Sequence, residues 1–356
     1  MTGAQLDYTS NEILADPPIV EPLRAAGLEC HGGFLDDGTY ASPRTLHRVP
    51  AIQAWQDSHR KQFGTEILDA PMDSWPGNFP NLDQAQLLLG EGVRDPIVAL
   101  LTRVGTIEGF GAVIRHLAPA DMQPFFAEDV RATAMGHLGR GLVEAHARDE
   151  AGWDDKAGHD RMWFAVRDIA FEHPVTEDQT QAILLRMGLG GGGDGRDERS
   201  ARFQAQRLFP DLDLALELLV DTMCRVLFIE IKAFHVFAWA EALLSNDDLV
   251  AGEGEAARIV SYIRNDETPH VDYLRTALTE MRDRTFVGLS GRHVAGTEVI
   301  GRLWDKSLAS SMGTVETQNR VAMSAEVAAA LKGHARGSEI LEQFRALGDW
   351  HPMEAA

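Results

Sequence analysis

The chain has 356 residues, 33 of them basic and 54 acidic, for a formal net charge of −21. A surface of that sign repels phosphate backbones and anionic lipids, which excludes nucleic acid and membrane surfaces as natural partners. With 44% hydrophobic and 24% charged residues the composition is that of a folded globular chain, and the length allows one large domain or two.

Residues 1 to about 90 carry prolines at 17, 18, 22, 43, 50, 71, 76 and 80 among many Gly and Asp residues. This predicts an irregular N-terminal wrap over 1–90, with one short helix from about Ala51 to Phe63. The opening string is polar and acidic, unlike a secretory signal. No run reaches the roughly 18 consecutive apolar residues of a membrane span. Two cysteines, Cys30 and Cys224, are too few for a disulfide framework, so a reducing, cytoplasmic setting is expected. Cys224, inside LLVDTMCRVLF, reads as core packing.

Helical periodicity governs residues 91–356, the expected bundle domain. Asp95-Pro96 is a helix start. A first long helix is predicted from there to about Leu117, and a second over about Ala127 to Ala151. A further helical stretch follows over about Asp155 to Phe171. The glycine-rich string at 188–200, GLGGGGDGRDERS, contains a GxGxxG-like pattern. No β-branched strand precedes it, so it predicts a loop or lid, not a dinucleotide site. A third long helix is expected over about Leu212 to Leu244 and a fourth over about Glu255 to Arg284. Two more, near 296–310 and 326–347, complete an all-α chain without repeats or alternating strands.

The sharpest string is Asp266-Glu267-Thr268-Pro269-His270. Glu267 and His270 are three apart and share one helix face. That face is the apolar stripe Ala256, Val260, Ile263, Leu274, Leu278, Met281. A carboxylate and an imidazole on a core stripe are costly unless compensated, and a divalent metal compensates both. Glu230 interrupts the stripe Leu216, Leu219, Met223, Leu227, Phe234, Phe237 in the same way. Glu230 and Glu267 lie equidistant from the turn joining the third and fourth helices, so an antiparallel hairpin sets them side by side. Glu108 continues the stripe Leu100, Leu101, Val104, Ile107 of the first helix.

The second helix is ambiguous. Glu144 lies 36 residues after Glu108, close to the 37 that separate Glu230 from Glu267, but position 147 is alanine. The stripe Met135, Leu138, Leu142, Ala145 points His146 and Asp149 inward more directly than Glu144. His137 and His159 are further candidates.

A glutamate, a Glu-x-x-His, a glutamate and a second Glu-x-x-His on four helices are the ligands of ferritin-like di-iron carboxylate proteins. The second half here, Glu230 followed by Asp266-Glu267-x-x-His270, resembles the p-aminobenzoate N-oxygenase family. Acyl-carrier-protein desaturases look alike at the same level. The chain departs from the pattern twice. No Glu-x-x-His occurs on the second helix, and position 263, where the N-oxygenases carry an additional histidine, is isoleucine. The resemblance implies a ferritin-like four-helix bundle with peripheral helices. It implies two iron ions, with manganese as the alternative, held by Glu108, Glu230, Glu267 and His270, with Glu144 and His146 or His159 from the second helix. It further implies O₂, a small organic substrate such as an amine, an electron donor, and room for a homodimer.

Three rival readings accompany it. One is a desaturase or hydroxylase of a carrier-bound acyl chain, and another a manganese/iron oxidase. The third is a metal-free helical interaction protein whose buried acids pair with Arg140, Arg148, Arg225 and Arg264. In that last reading Asp266 and Pro269 simply start a helix. His235 reads as a core histidine and His173 as a helix C-terminal partner.

Overall fold

Two long helices form the spine of the chain. Helix α8 (Leu214–Leu244) opens on Asp213, whose carboxylate accepts the N–H groups of Ala215 and Leu216, and α9 (Glu255–Arg282) packs along it. This computed structural model describes residues 5–71, 74–172, 175–186, 204 and 206–348. The glycine-rich string at 188–200 and His173 lie outside the described residues.

Before the spine come α1 (Ser10–Ile13), α2 (Arg48–Phe63), α3 (Leu82–Gly90), α4 (Asp95–Gly111), α5 (Leu142–Ala151), α6 (His159–Ala170) and α7 (Glu177–Arg186). After it come α10 (Gly296–Ala309), α11 (Glu316–Ala330) and α12 (Gly337–Ala346). The chain is mainly helical, as the periodicity predicts. Helix α4 packs on α6, and α6 on α9, so both sets of helices meet at α9.

Strands occur where none was expected. The segments β1 (Glu21–Ala25), β2 (Leu28–Phe34) and β3 (Tyr40–Ala41) form an antiparallel sheet, and β4 (Thr285–Val287) pairs with β5 (His293–Ala295). Their brevity and their proline and glycine content hide the period of two that marks a strand.

The second long helix is the larger departure. Residues 127–151 are not one helix: a 3-10 segment over Met135–Arg140 precedes α5, which runs only from Leu142. The buried carboxylate of Glu280 on α9 accepts the N–H groups of Ala134 and Met135 at 3.1 and 2.8 Å, which fixes a chain turn there.

Buried apolar side chains fall into two clusters. One contains Ile114, Leu142, Leu216, Leu227, Tyr273 and Leu278, the other Leu101, Trp163, Phe237, Leu243, Val260 and Ile263. Helices α8 and α9 each pass from one cluster to the other, and α4, rooted in the second, leads into a 3-10 turn (Ala112–His116) whose Ile114 belongs to the first. At the crossing they carry Glu108, Glu230 and Glu267/His270. The acids that interrupt three apolar stripes in the sequence therefore form one polar layer between two apolar cores. The run Asp95–His116, long and apolar enough by composition to cross a membrane, is half buried in this packing and carries Glu108 into the layer.

A candidate dinuclear metal centre

Glu267 and His270 stand in the middle of α9, not at its start, and Pro269 is an interior proline. The reading of this string as a helix cap is therefore corrected. An interior proline forfeits one backbone hydrogen bond at a cost of about 3 kcal/mol, a concession placed between two candidate ligands.

Helices α5 and α6 bring the rest. Their junction is a sharp crossing: Gly152 has φ +77°, and a Cβ there would lie 2.5 Å from the Lys156 carbonyl oxygen. The crossing sets Glu150, in the last turn of α5, beside His159, the first residue of α6. A buried carboxylate at a helix C-terminus faces the negative end of the helix dipole and needs positive charge nearby.

Two groups of ligand atoms result, each with its atoms within 4.8 Å of one another: His146, Glu150, Glu230 and His270 in one, and Glu108, Glu150, His159 and Glu267 in the other. Glu150 belongs to both. All seven side chains are buried, Glu108 the least at 9% exposure. Glu267 also spans the two groups, with Oε1 2.8 Å from Nδ1 of His159 and Oε2 2.6 Å from Nδ1 of His270. The rings of His146 and His270 stack with centroids 4.1 Å apart.

Six of the seven ligands that the resemblance implies converge here: Glu108, His146, His159, Glu230, Glu267 and His270. Glu144 does not. It is partly exposed on the outer face of α5, paired with Arg148 at 2.7 Å and Arg115 at 3.2 Å. The carboxylate in the layer is Glu150, which the sequence reading missed. The spacing from Glu108 pointed to Glu144 only under the assumption of one straight helix. The signal that finds Glu150 is its position four residues after the inward-facing His146, on the same face. His137 is buried elsewhere, its Nε2 accepting the N–H of Tyr8 at 3.0 Å.

Each histidine is held from behind, as ligating histidines are. His270 donates Nε2–H to Asp149 at 2.8 Å, which leaves Nδ1 facing Glu150 and Glu267. Nε2 of His159 lies 3.4 Å from Asp266, whose carboxylate accepts the hydroxyl of Tyr40 at 2.9 Å. Nδ1 of His146 lies 3.2 Å from the hydroxyl of Tyr273, which leaves Nε2 facing the layer. Asp149 in turn accepts from Arg44 and Arg48. The N-terminal segment thus supplies Tyr40, Arg44 and Arg48 as the outer support of the cluster.

Burial raises the carboxyls of Glu108 and Glu230 well above the usual range, and the carboxylates of Glu150 and Glu267 add to it. Burial pushes Glu150 and Glu267 the same way, but the imidazoles of His159 and His270 outweigh it and hold both below the ordinary value. Those two imidazoles are raised well above theirs, against burial, chiefly by Glu267. His146 is pushed down to about 3 by burial and by His270. Such crowding of like charges is relieved by bound protons or by bound cations. Nε2 of His146, Oε1 of Glu150, Nδ1 of His159 and Oε1 of Glu267 are all buried without a well-formed hydrogen bond, although Oε1 of Glu267 lies 2.8 Å from Nδ1 of His159. A metal ion between them would take up all four. The buried clusters can hold metal ions, through imidazole nitrogens and carboxylate oxygens.

No family model, no curated protein and no solved structure matches the chain. The site therefore rests on its own geometry.

Proposed function

We propose that the chain is an O₂-dependent oxidoreductase of the ferritin-like di-iron type, an oxidase or oxygenase acting on a small organic substrate. The observation that carries this reading is the pair of buried ligand groups sharing Glu150. Charge supports two ions over one. Among the described residues of the layer and its immediate support, four glutamates and two aspartates bring six negative charges when ionised, and Arg44 and Arg48 bring two positive ones. Two divalent cations make the assembly neutral.

Two reduced iron ions there would supply electrons for the activation of O₂. The protein's own residues do the rest. Glu108, Glu150, Glu230, Glu267, His146, His159 and His270 would hold the ions, while Asp149, Asp266 and Tyr273 fix the rings. The apolar cores on either side exclude water. An amine is the substrate suggested by the likeness of Glu230 and Asp266-Glu267-x-x-His270 to the N-oxygenases.

The metal-free reading loses its pairing scheme: Arg140 pairs with Asp7, Arg148 with Glu144, Arg225 with Asp221 and Arg264 with Glu241, all outside the polar layer. The test is elemental analysis of the purified chain, followed by O₂ uptake of the Fe(II)-loaded, reduced protein with a panel of amines. About two metal ions per chain and metal-dependent O₂ uptake are expected. A chain that neither contains nor binds metal refutes the proposal.

A further inference from the structure

We propose, on the basis of the dinuclear reading above, that the two metal positions are unequal by construction. The position bounded by His146, His270 and Glu230 loads first and selects the later first-row ion. The position bounded by His159 and Glu108 loads second and accepts Mn(II) as readily as Fe(II).

The inequality is in the donors. Glu150 and Glu267 span both positions, so they do not distinguish them. What is left is one carboxylate on each side, Glu230 against Glu108, and two imidazoles on one side against one on the other. The terminal charge is therefore equal, and the difference is a single neutral nitrogen, Nε2 of His146. That atom is buried, has no hydrogen-bond partner and lies 3.5 Å from Glu230 and 3.9 Å from Glu150. An added imidazole strengthens binding at either metal, but it gains more for Fe(II) than for Mn(II), because nitrogen affinity rises along the first row. Carboxylates discriminate less, so the oxygen-rich side is the permissive one.

The supporting residues reinforce the difference. His270 is oriented by Asp149 at 2.8 Å, itself clamped by Arg44 and Arg48, and His146 by Tyr273 at 3.2 Å. His159, the only imidazole on the other side among the described residues, has the longest of these links, 3.4 Å to Asp266. Glu108 is also the most exposed of the seven ligand candidates. The histidine-rich side is thus better held and drier, and the other side is the exchangeable one.

The experiment is an anaerobic titration of the metal-free, full-length chain with Fe(II), with Mn(II) and with an equimolar mixture, read by metal content after desalting and by calorimetry. Two Fe(II) steps are expected, the first tighter by about ten- to hundredfold, the change that loss of even a supporting partner of a ligand brings. The mixture, supplied at one equivalent of each ion per chain, should give close to one iron and one manganese per chain. His146→Ala should merge the two steps and abolish the preference for iron. Tyr273→Phe, which preserves the shape of the core, should weaken the first step alone. His159→Ala should spare the first step and abolish the second. Two equal steps in the wild-type chain, or a preference for iron that survives in both His146→Ala and Tyr273→Phe, overturns the inference while leaving the dinuclear reading intact. Failure of the wild-type chain to bind either ion overturns both.

Discussion

Glu150 and Glu144 are six residues apart on one short helix, and the structure gives them opposite roles. In Glu150→Gln the side chain keeps its size but loses the charge that both ligand groups share. Loss of a merely supporting residue costs about ten- to hundredfold in metal affinity, so loss of a shared carboxylate should cost at least that at both positions. Metal content after dialysis should fall from about two per chain to well below one. Metal-free Glu150→Gln should be less stable than the metal-free wild-type chain, because His159 and His270, which hold Glu150 ionised, lose a buried carboxylate partner. Glu144→Gln loses only pairs to Arg148 and Arg115, all three side chains being between 22 and 29% exposed. Pairs of that kind contribute about 1 kcal/mol or less each, so melting should drop by at most a few degrees, with metal content unchanged. Elemental analysis and thermal melts of both variants check this. Full metal in Glu150→Gln, or loss of metal in Glu144→Gln, would refute the assignment of Glu150 to the centre.

Other perturbations have equally definite outcomes. Asp149→Ala leaves two buried guanidiniums, Arg44 and Arg48, without their carboxylate; chemical denaturation should show a loss of about 3–5 kcal/mol. Tyr40→Phe removes the hydroxyl that Asp266 accepts, and should lower metal affinity by about tenfold in a competition titration while the fold persists. Gly111→Ala would place a Cβ 2.9 Å from Cγ of Glu150 and 3.3 Å from Nε2 of His146; reduced metal content with little loss of helix by circular dichroism is expected. Asp283 is held down at about 2 although burial opposes it, through Arg282, Thr65 and His59. A depressed carboxyl stabilises the fold above its unfolded value near 4 and loses that contribution as pH falls toward 2. Asp283→Asn should therefore be less stable than wild type at neutral pH, and the gap in melting temperature should close as pH falls through that window.

The legible part of the site lies on the unbroken helices. In α4, α8 and α9 the period of 3.6 holds through the polar layer, so an acid on an apolar stripe is visible as an anomaly, and Glu108, Glu230, Glu267 and His270 stand out. Loop length even fixes the depth at which Glu230 and Glu267 meet. The illegible part lies where the chain breaks period. Between 127 and 151 a 3-10 segment and a short helix replace the one expected helix, so equal spacing from Glu108 selects the wrong glutamate. The N-terminal support was illegible for another reason. Tyr40 sits 226 residues from Asp266, and Arg44 lies 105 from Asp149, and contacts at such separations leave no local pattern. That segment reads as an irregular wrap because its strands are short, not because it lacks structure.

The broken helix also bears on how a third histidine reaches the layer. A continuous helix presents residues on one face every three or four positions, and a Glu-x-x-His there places one carboxylate and one imidazole at one depth. The junction at Gly152 instead lets the ends of two helices approach the same point, Glu150 from α5 and His159 from α6. His146, one turn before Glu150, then reaches the layer as well. The break therefore yields one more imidazole than an unbroken Glu-x-x-His would. The N-oxygenase pattern obtains its additional histidine from the fourth helix, at the position that is Ile263 here and packs in the apolar core with Leu101 and Val260. In this chain an isoleucine extends that core on α9, and α5 brings His146 to the layer instead. Three imidazoles thus reach the layer from three different helices, α5, α6 and α9, and the fourth long helix of the sequence supplies only one of them.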